Sequence, residues 1–291
     1  MMGIRWCRTL SEVSSAPQGP STVITCEDVL LMKVVSDWLV GDKVGIRGLL
    51  GYASDYLGIT SPVAVYSMLR RLCEYGLVTL VRSSRCKSLD EYRKCMVHNL
   101  PCRIVNVKPT LPGALLAATS AIAYHTYLKL YLDYVMNSDK RGGEPSSYMN
   151  LIINAINNLF NTNIEGKDVI RAVEGAINAI MNVNPERLTK LASVTCLDDP
   201  FQTYAFRGMI YGGWDADIIL RFLVPRIINR YNNYIKKHEE GNGTSTEAMN
   251  LPSEEEVYEL SDAFINNNID VIKEKWYIIE KLAESGIGCT L

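Results

Sequence analysis

Ser61-Pro62-Val63-Ala64-Val65-Tyr66-Ser67-Met68-Leu69-Arg70-Arg71-Leu72 is the stretch on which the fold of this chain turns. It is read with the turn Gly58-Ile59-Thr60 before it and Glu74-Tyr75-Gly76-Leu77-Val78 after it. Ser61 is an N-cap candidate, and Pro62 suits the first helical position, where a missing N–H leaves no bond unmade. Val65, Leu69 and Leu72 recur at helical spacing and turn inward, and Gly76 stops the helix after Tyr75. On that register Ser61, Ala64, Ser67, Arg70 and Arg71 fall mostly on the outward side of a helix spanning about 61–75.

Upstream, Thr25 can cap a helix whose first turn holds Glu27 and Asp28 and whose apolar positions Leu30, Leu31, Val34, Val35 and Trp38 run to Gly41. A second helix over about 44–57 carries Ile46, Leu49, Leu50, Ala53 and Leu57 and stops at Gly58. Downstream the period changes. Leu77–Val81 and Arg103–Val107 read as two strands of a hairpin, and the segment 82–102 between them is long for a hairpin loop, basic and rich in cysteine. Leu111–Met136 then reads as one long helix, with Tyr124, Tyr127, Tyr131 and Tyr134 at packing or dimer-contact spacing.

This order of elements resembles the winged helix-turn-helix superfamily over residues 27–136, most clearly over 46–81. The pattern Arg70-Arg71-Leu72, a short spacer, then Gly76-Leu77-Val78 is similar to regulators of the MarR, ArsR and PadR type. Lys108-Pro109-Thr110-Leu111-Pro112-Gly113 resembles the threonine-to-glycine step where PadR-like wings enter a dimer helix. The resemblance implies a DNA-binding transcription regulator acting on double-stranded DNA as a homodimer. Its recognition helix would enter the major groove with Ser61, Ala64, Tyr66, Ser67, Arg70 and Arg71 at the DNA. Arg82, Arg85, Lys87, Arg93, Lys94 and Arg103, on or beside the wing, would follow the phosphates. Winged-helix domains also serve as protein-interaction modules, so the alternative is a scaffold protein of a larger assembly without specific DNA binding.

Charge agrees with the first reading once it is resolved along the chain. The 291 residues carry 30 Lys+Arg and 32 Asp+Glu, a net of −2. Residues 1–145 hold 17 basic and 12 acidic side chains (+5), and residues 146–291 hold 13 and 20 (−7). Within 61–110 there are 9 against 3, so the excess of +6 falls on the helix and wing that DNA contact requires. At 47% hydrophobic and 21% charged, the composition is globular and excludes a mostly disordered or collagen-like chain. Residues 1–26 lack the apolar core of a secretory signal, and the charge-free stretch 109–128 is too polar for a spanning helix. No membrane association and a cytoplasmic location are therefore expected.

The fold class expected is mainly α with a small β-hairpin wing: an irregular lead-in over 1–26, a winged-helix domain over 27–136, a linker over 137–147 and an acidic all-helical domain over 148–291. Helices are expected at about 147–160, 166–182, 185–194, 215–237 and 253–284, with Pro225 kinking or breaking the fourth. This half would serve oligomerisation, a protein partner or a small ligand. Two surfaces compete for a dimer contact: the 109–128 segment with the tyrosines after it, and a stripe of Val257, Leu260, Phe264, Val271, Ile279 and Leu282. Phe201, Tyr204, Phe206, Tyr211 and Trp214 suggest a core segment or, less simply, a ligand pocket.

Cys86, Cys95 and Cys102 with His98 lack the tight knuckle of a structural zinc site, leaving free thiols, a disulfide in the loop or zinc as readings. No phosphate loop, nucleophile elbow or metal helix appears, and His98, His125 and His238 lie far apart. No enzymatic activity, cofactor or metal is expected.

Overall fold

The computed structural model describes residues 7–15, 23–82, 104–124, 175–180, 182–240 and 251–287, together with 150, 154, 157 and 158. It is mainly helical with one two-stranded antiparallel sheet. In chain order α1 (Leu10–Val13), α2 (Cys26–Val40), α3 (Ile46–Leu57) and α4 (Pro62–Glu74) precede β1 (Val78–Arg82) and β2 (Ile104–Pro109). A helix over 111–124 follows, then helical residues 175–180. The remaining helices are Pro185–Val194, Pro200–Tyr211, Ala216–Glu240, Glu254–Ile265, Ile269–Glu274 and Trp276–Glu284.

The middle of the packing is α2. Every residue of it except Lys33, Asp37 and Val40 is buried, as a helix apolar on all sides requires. It touches α3, α4, β2 and the Pro185–Val194 helix. The sheet pairs Leu80 with Val107 and Val78 with Pro109, and the ladder is irregular between Val81 and Arg82. A third segment joins its edge: Gly45 bridges Asn106, and the Val107 N–H donates to the Val44 carbonyl at 3.0 Å.

The helix over 111–124 crosses directly above the turn from α4 into β1. Thr110 donates its hydroxyl to the Gly76 carbonyl at 2.6 Å and its amide to the Leu77 carbonyl at 3.1 Å. Gly113 sits so close that a Cβ there would lie 1.9 Å from the Leu77 oxygen. Any larger residue would force this helix off the turn, which explains the glycine. Residues 111–121 are all buried within the chain, so this face of the expected dimer helix is already covered.

The expected single helix over 253–284 is instead three. Asn267 takes a positive φ of 53°, and the Asn268 amide returns to the Ala263 carbonyl at 2.8 Å, closing the first helix. Asn268 then caps the second by accepting from Val271. Asparagine tolerates the left-handed conformation and caps well, so the run Asn266-Asn267-Asn268 stops one helix and starts the next. Val257, Leu260, Phe264, Ile279 and Leu282 are buried in the chain's own core. Pro225 does not break its helix, which runs unbroken from Ala216 to Glu240. Pro225 and Arg221, one turn earlier, are exposed, so water can solvate the carbonyl the proline leaves unpaired.

A helix not expected from the sequence, Pro200–Tyr211, carries the aromatic segment, with Asp199 accepting from the Gln202 amide at its start. The expected linker over 137–147 lies outside the described residues. One continuous buried cluster runs from α2 through β2 and the 111–124 helix to the helices after residue 185. Cys7 and Cys26 form a disulfide that ties the segment before α1 to the start of α2. Cys86, Cys95 and Cys102 lie outside the described residues. Among the described residues no helix is long and apolar enough to cross a membrane, and no group of three or more His, Cys, Asp or Glu is placed to hold a metal.

Candidate functional site

α3 ends on Gly58 with φ 67°, a conformation that only glycine adopts freely, and the Ile59 amide returns to the Ala53 carbonyl at 2.9 Å. Ile59 is buried, which anchors the turn before Pro62 opens α4. Ser61 stands at the N-cap position, yet its side chain makes no capping bond and it is exposed. Val65, Met68, Leu69 and Leu72 are buried, so α4 is fixed by one face. The other face presents Ser61, Val63, Ser67 and Arg70 to solvent, with Ala64 and Tyr66 half-buried at its margin.

The two arginines of α4 have different fates. Arg70 pairs with Glu74 at 2.8 Å, with both side chains more than half exposed. Such a surface pair is worth about 0.3–0.5 kcal/mol, so Arg70 is only weakly held by Glu74. Arg71 turns inward. Its Nε donates to Glu27 at 2.8 Å, Nη2 donates to the same carboxylate oxygen, and Nη1 donates to Ser67 at 3.1 Å. Glu27 is fully buried, and breaking such a pair costs about 3–5 kcal/mol because it strands a charge. Arg71 is therefore a positioning residue for α4, not a free cation.

Glu27 also accepts from the Leu10 amide at 2.8 Å, joining α1 to the same point. Burial pushes its carboxyl above the ordinary value of 4.5, and Arg71 and the Leu10 amide only partly oppose this. Beside it, Asp28 is fully buried and holds Arg207, which donates to its two oxygens at 3.1 Å each. Arg207 further donates to Ser120 at 2.9 Å and to the Val23 carbonyl at 2.8 Å. Burial opposes its charge, and the Asp28 carboxylate overrides that, so the guanidinium titrates above its ordinary range. Tyr211 donates to Asp28 at 2.7 Å, and its ring meets Tyr75, the residue after α4, edge to face at 5.4 Å. The first turn of α2 thus clamps the end of α4 to the Pro200–Tyr211 helix.

Of the residues read from sequence, α4 brings Ser61, Ala64, Tyr66, Ser67 and Arg70 to one surface and draws Arg71 away from it. Arg82 closes β1 opposite Ile104. Arg85, Lys87, Arg93, Lys94 and Arg103 lie outside the described residues. The sequence reading missed the roles of Glu27, Asp28, Arg207 and Tyr211. One signal for the first two was present: two acids opening a helix that is otherwise apolar around its whole circumference must be buried with it.

A cleft of about 450 Å³ opens along α2 and α3, lined by Lys33, Asp37, Gly48, Tyr52 and Asp55 among others. Its Lys33 is engaged by Asp37 at 2.7 Å and the Asn182 carbonyl at 3.2 Å. No protein-family model, curated protein or solved structure matches this chain at a significant level.

Proposed function

We propose that the chain is a double-stranded DNA-binding protein of the winged helix-turn-helix kind, acting in transcription regulation, with α4 as the element that enters the major groove. One observation carries the reading. α4 follows α3 through a tight glycine turn, is held by one apolar face, and presents short side chains and a releasable Arg70 on the other. The main-chain bridges from Val44 and Gly45 to the strand edge support it, because they add a rudimentary third strand ahead of α3. The +6 charge of residues 61–110 supplies the long-range attraction.

A duplex titration over a salt series tests the proposal. Affinity falls steeply with salt, and Arg70→Ala costs about 1–3 kcal/mol if Arg70 reads a base, or lowers the salt slope by about one if it meets a phosphate. Absence of duplex binding at low salt overturns the reading. A second reading, a winged-helix interaction module, is favoured by Val63, which is 76% exposed on the first turn of α4. Under that reading Val63→Glu abolishes partner binding and DNA has no effect on it.

A further inference from the structure

Five large apolar side chains stand out of the surface within residues 201–222. Phe201 is 77% exposed, Tyr204 42%, Trp214 57%, Ile218 51% and Phe222 66%. Ile218 and Phe222, spaced by four, form one stripe along the start of the Ala216–Glu240 helix, and Trp214 stands in the turn just before it. Phe201 and Tyr204 lie a turn apart on the preceding helix, and Arg226, one turn beyond Phe222, donates to Gln202 beside Phe201 at 2.8 Å. The aromatic segment is thus not wholly core: Phe206 is buried, while Phe201, Tyr204 and Trp214 face out.

We infer that this face is the contact between two copies of the chain. At roughly 150–250 Å² for a whole aromatic side chain, the exposed fractions sum to about 600 Å². That is at the upper end of the ~300–600 Å² expected of the largest patch on a monomer, and about three quarters of the ~800 Å² per partner of a standard interface. Charge favours a copy of the same chain over a partner of one sign. Asp217 and Arg221 flank the stripe, both exposed, and neither is in an ion pair among the described residues. A two-fold axis through the stripe sets the Ile218 end of one copy against the Phe222 end of the other and brings Arg221 within reach of the other's Asp217, as a self-complementary interface requires. Of the two surfaces expected from sequence to pair, residues 111–121 and Val257, Leu260, Phe264, Ile279 and Leu282 are engaged inside the chain, and Tyr127, Tyr131 and Tyr134 lie outside the described residues.

Sedimentation of the full chain tests this. A dimer is expected with a dissociation constant in the ~µM range or tighter. Trp214→Glu with Phe222→Glu weakens it at least about a hundredfold, while Tyr258→Glu, an exposed side chain on the Glu254–Ile265 helix, leaves it intact. Arg221→Asp weakens the dimer, and adding Asp217→Arg restores it. Thermal melting checks that the variants fold, and Ile218→Asp alone serves where the double variant does not. A chain that stays monomeric to ~mM concentration, or a dimer indifferent to all these substitutions, overturns the inference. For DNA the consequence rests on the proposed function: the dissociated variant binds one half-site instead of two. Loss of duplex binding with an intact, patch-dependent dimer would sink the DNA reading alone.

Discussion

Two helices of this protein begin with the same local device and meet opposite surroundings. At α2, Thr25 accepts from the Asp28 amide while Asp28 accepts from the Thr25 amide at 2.7 Å. At the Glu254–Ile265 helix, Ser253 and Glu256 make the same reciprocal pair, with the Ser253 amide donating to Glu256 at 2.8 Å. Thr25, Glu27 and Asp28 are fully buried, whereas Ser253, Glu254 and Glu255 are exposed. Buried, the first-turn acids have recruited Arg71, Arg207, Tyr211 and the Leu10 amide. At the surface, Glu256 accepts from the Tyr277 hydroxyl beyond its own cap, and Lys275 acts on it through space. A capping box in water simply starts a helix; the same box in the core becomes a junction, because each desolvated charge demands a partner.

The largest effect that sharpens this contrast is expected at Arg207. Arg207→Met strands Asp28 in the core and should cost about 3–5 kcal/mol in urea unfolding. Adding Asp28→Asn should recover part of that loss, since the stranded charge is then gone. A loss below 1 kcal/mol, on the order of a surface pair, would break the comparison. Next come the caps themselves. Thr25→Ala is expected to cost about 2 kcal/mol and Ser253→Ala about 0.5–1 kcal/mol, measured the same way. Equal losses would mean that burial adds nothing to the cap.

The smallest effects are pH slopes of opposite sign. Burial raises the folded pKa of Glu27 above 4.5, so the folded chain holds that proton more tightly than the unfolded one. Its contribution to stability therefore falls as pH rises from about 4.5 through the raised value, and Glu27→Gln removes the slope. The Tyr277 hydroxyl lowers the folded pKa of Glu256, so its contribution is present above 4.5 and is lost as pH falls through the lowered value. Glu256→Gln flattens the acid side only. Unfolding midpoints across a pH series distinguish the two, and slopes of the same sign would contradict the assignment.

Helix starts and stops over residues 25–76 were legible because they are local chemistry. Thr25 caps, Gly41 and Gly58 adopt positive φ, Pro62 opens α4, and the period changes after Gly76. The hairpin was legible too, with strands within a residue or two of the expected ones. The Asn266–Asn268 break was written in the sequence and overlooked, since an apolar stripe at heptad-like spacing continues across it. Arg71 was misread for a different reason. Helical spacing places it between the inward and outward faces, and only the position of Glu27, forty-four residues earlier, draws it inward.

By itself the sequence determined the order of elements, their caps and the apolar face of α4, because hydrogen bonding within four residues and side-chain periodicity are properties of the chain alone. Tertiary structure decided which charges are buried, that Arg207 meets Asp28 across 179 residues of chain, and which aromatics are left facing water. Those outcomes depend on how helices distant in sequence are brought together. Burial is a property of the assembled surface, and a local pattern signals it only where, as in α2, a helix is apolar around its whole circumference.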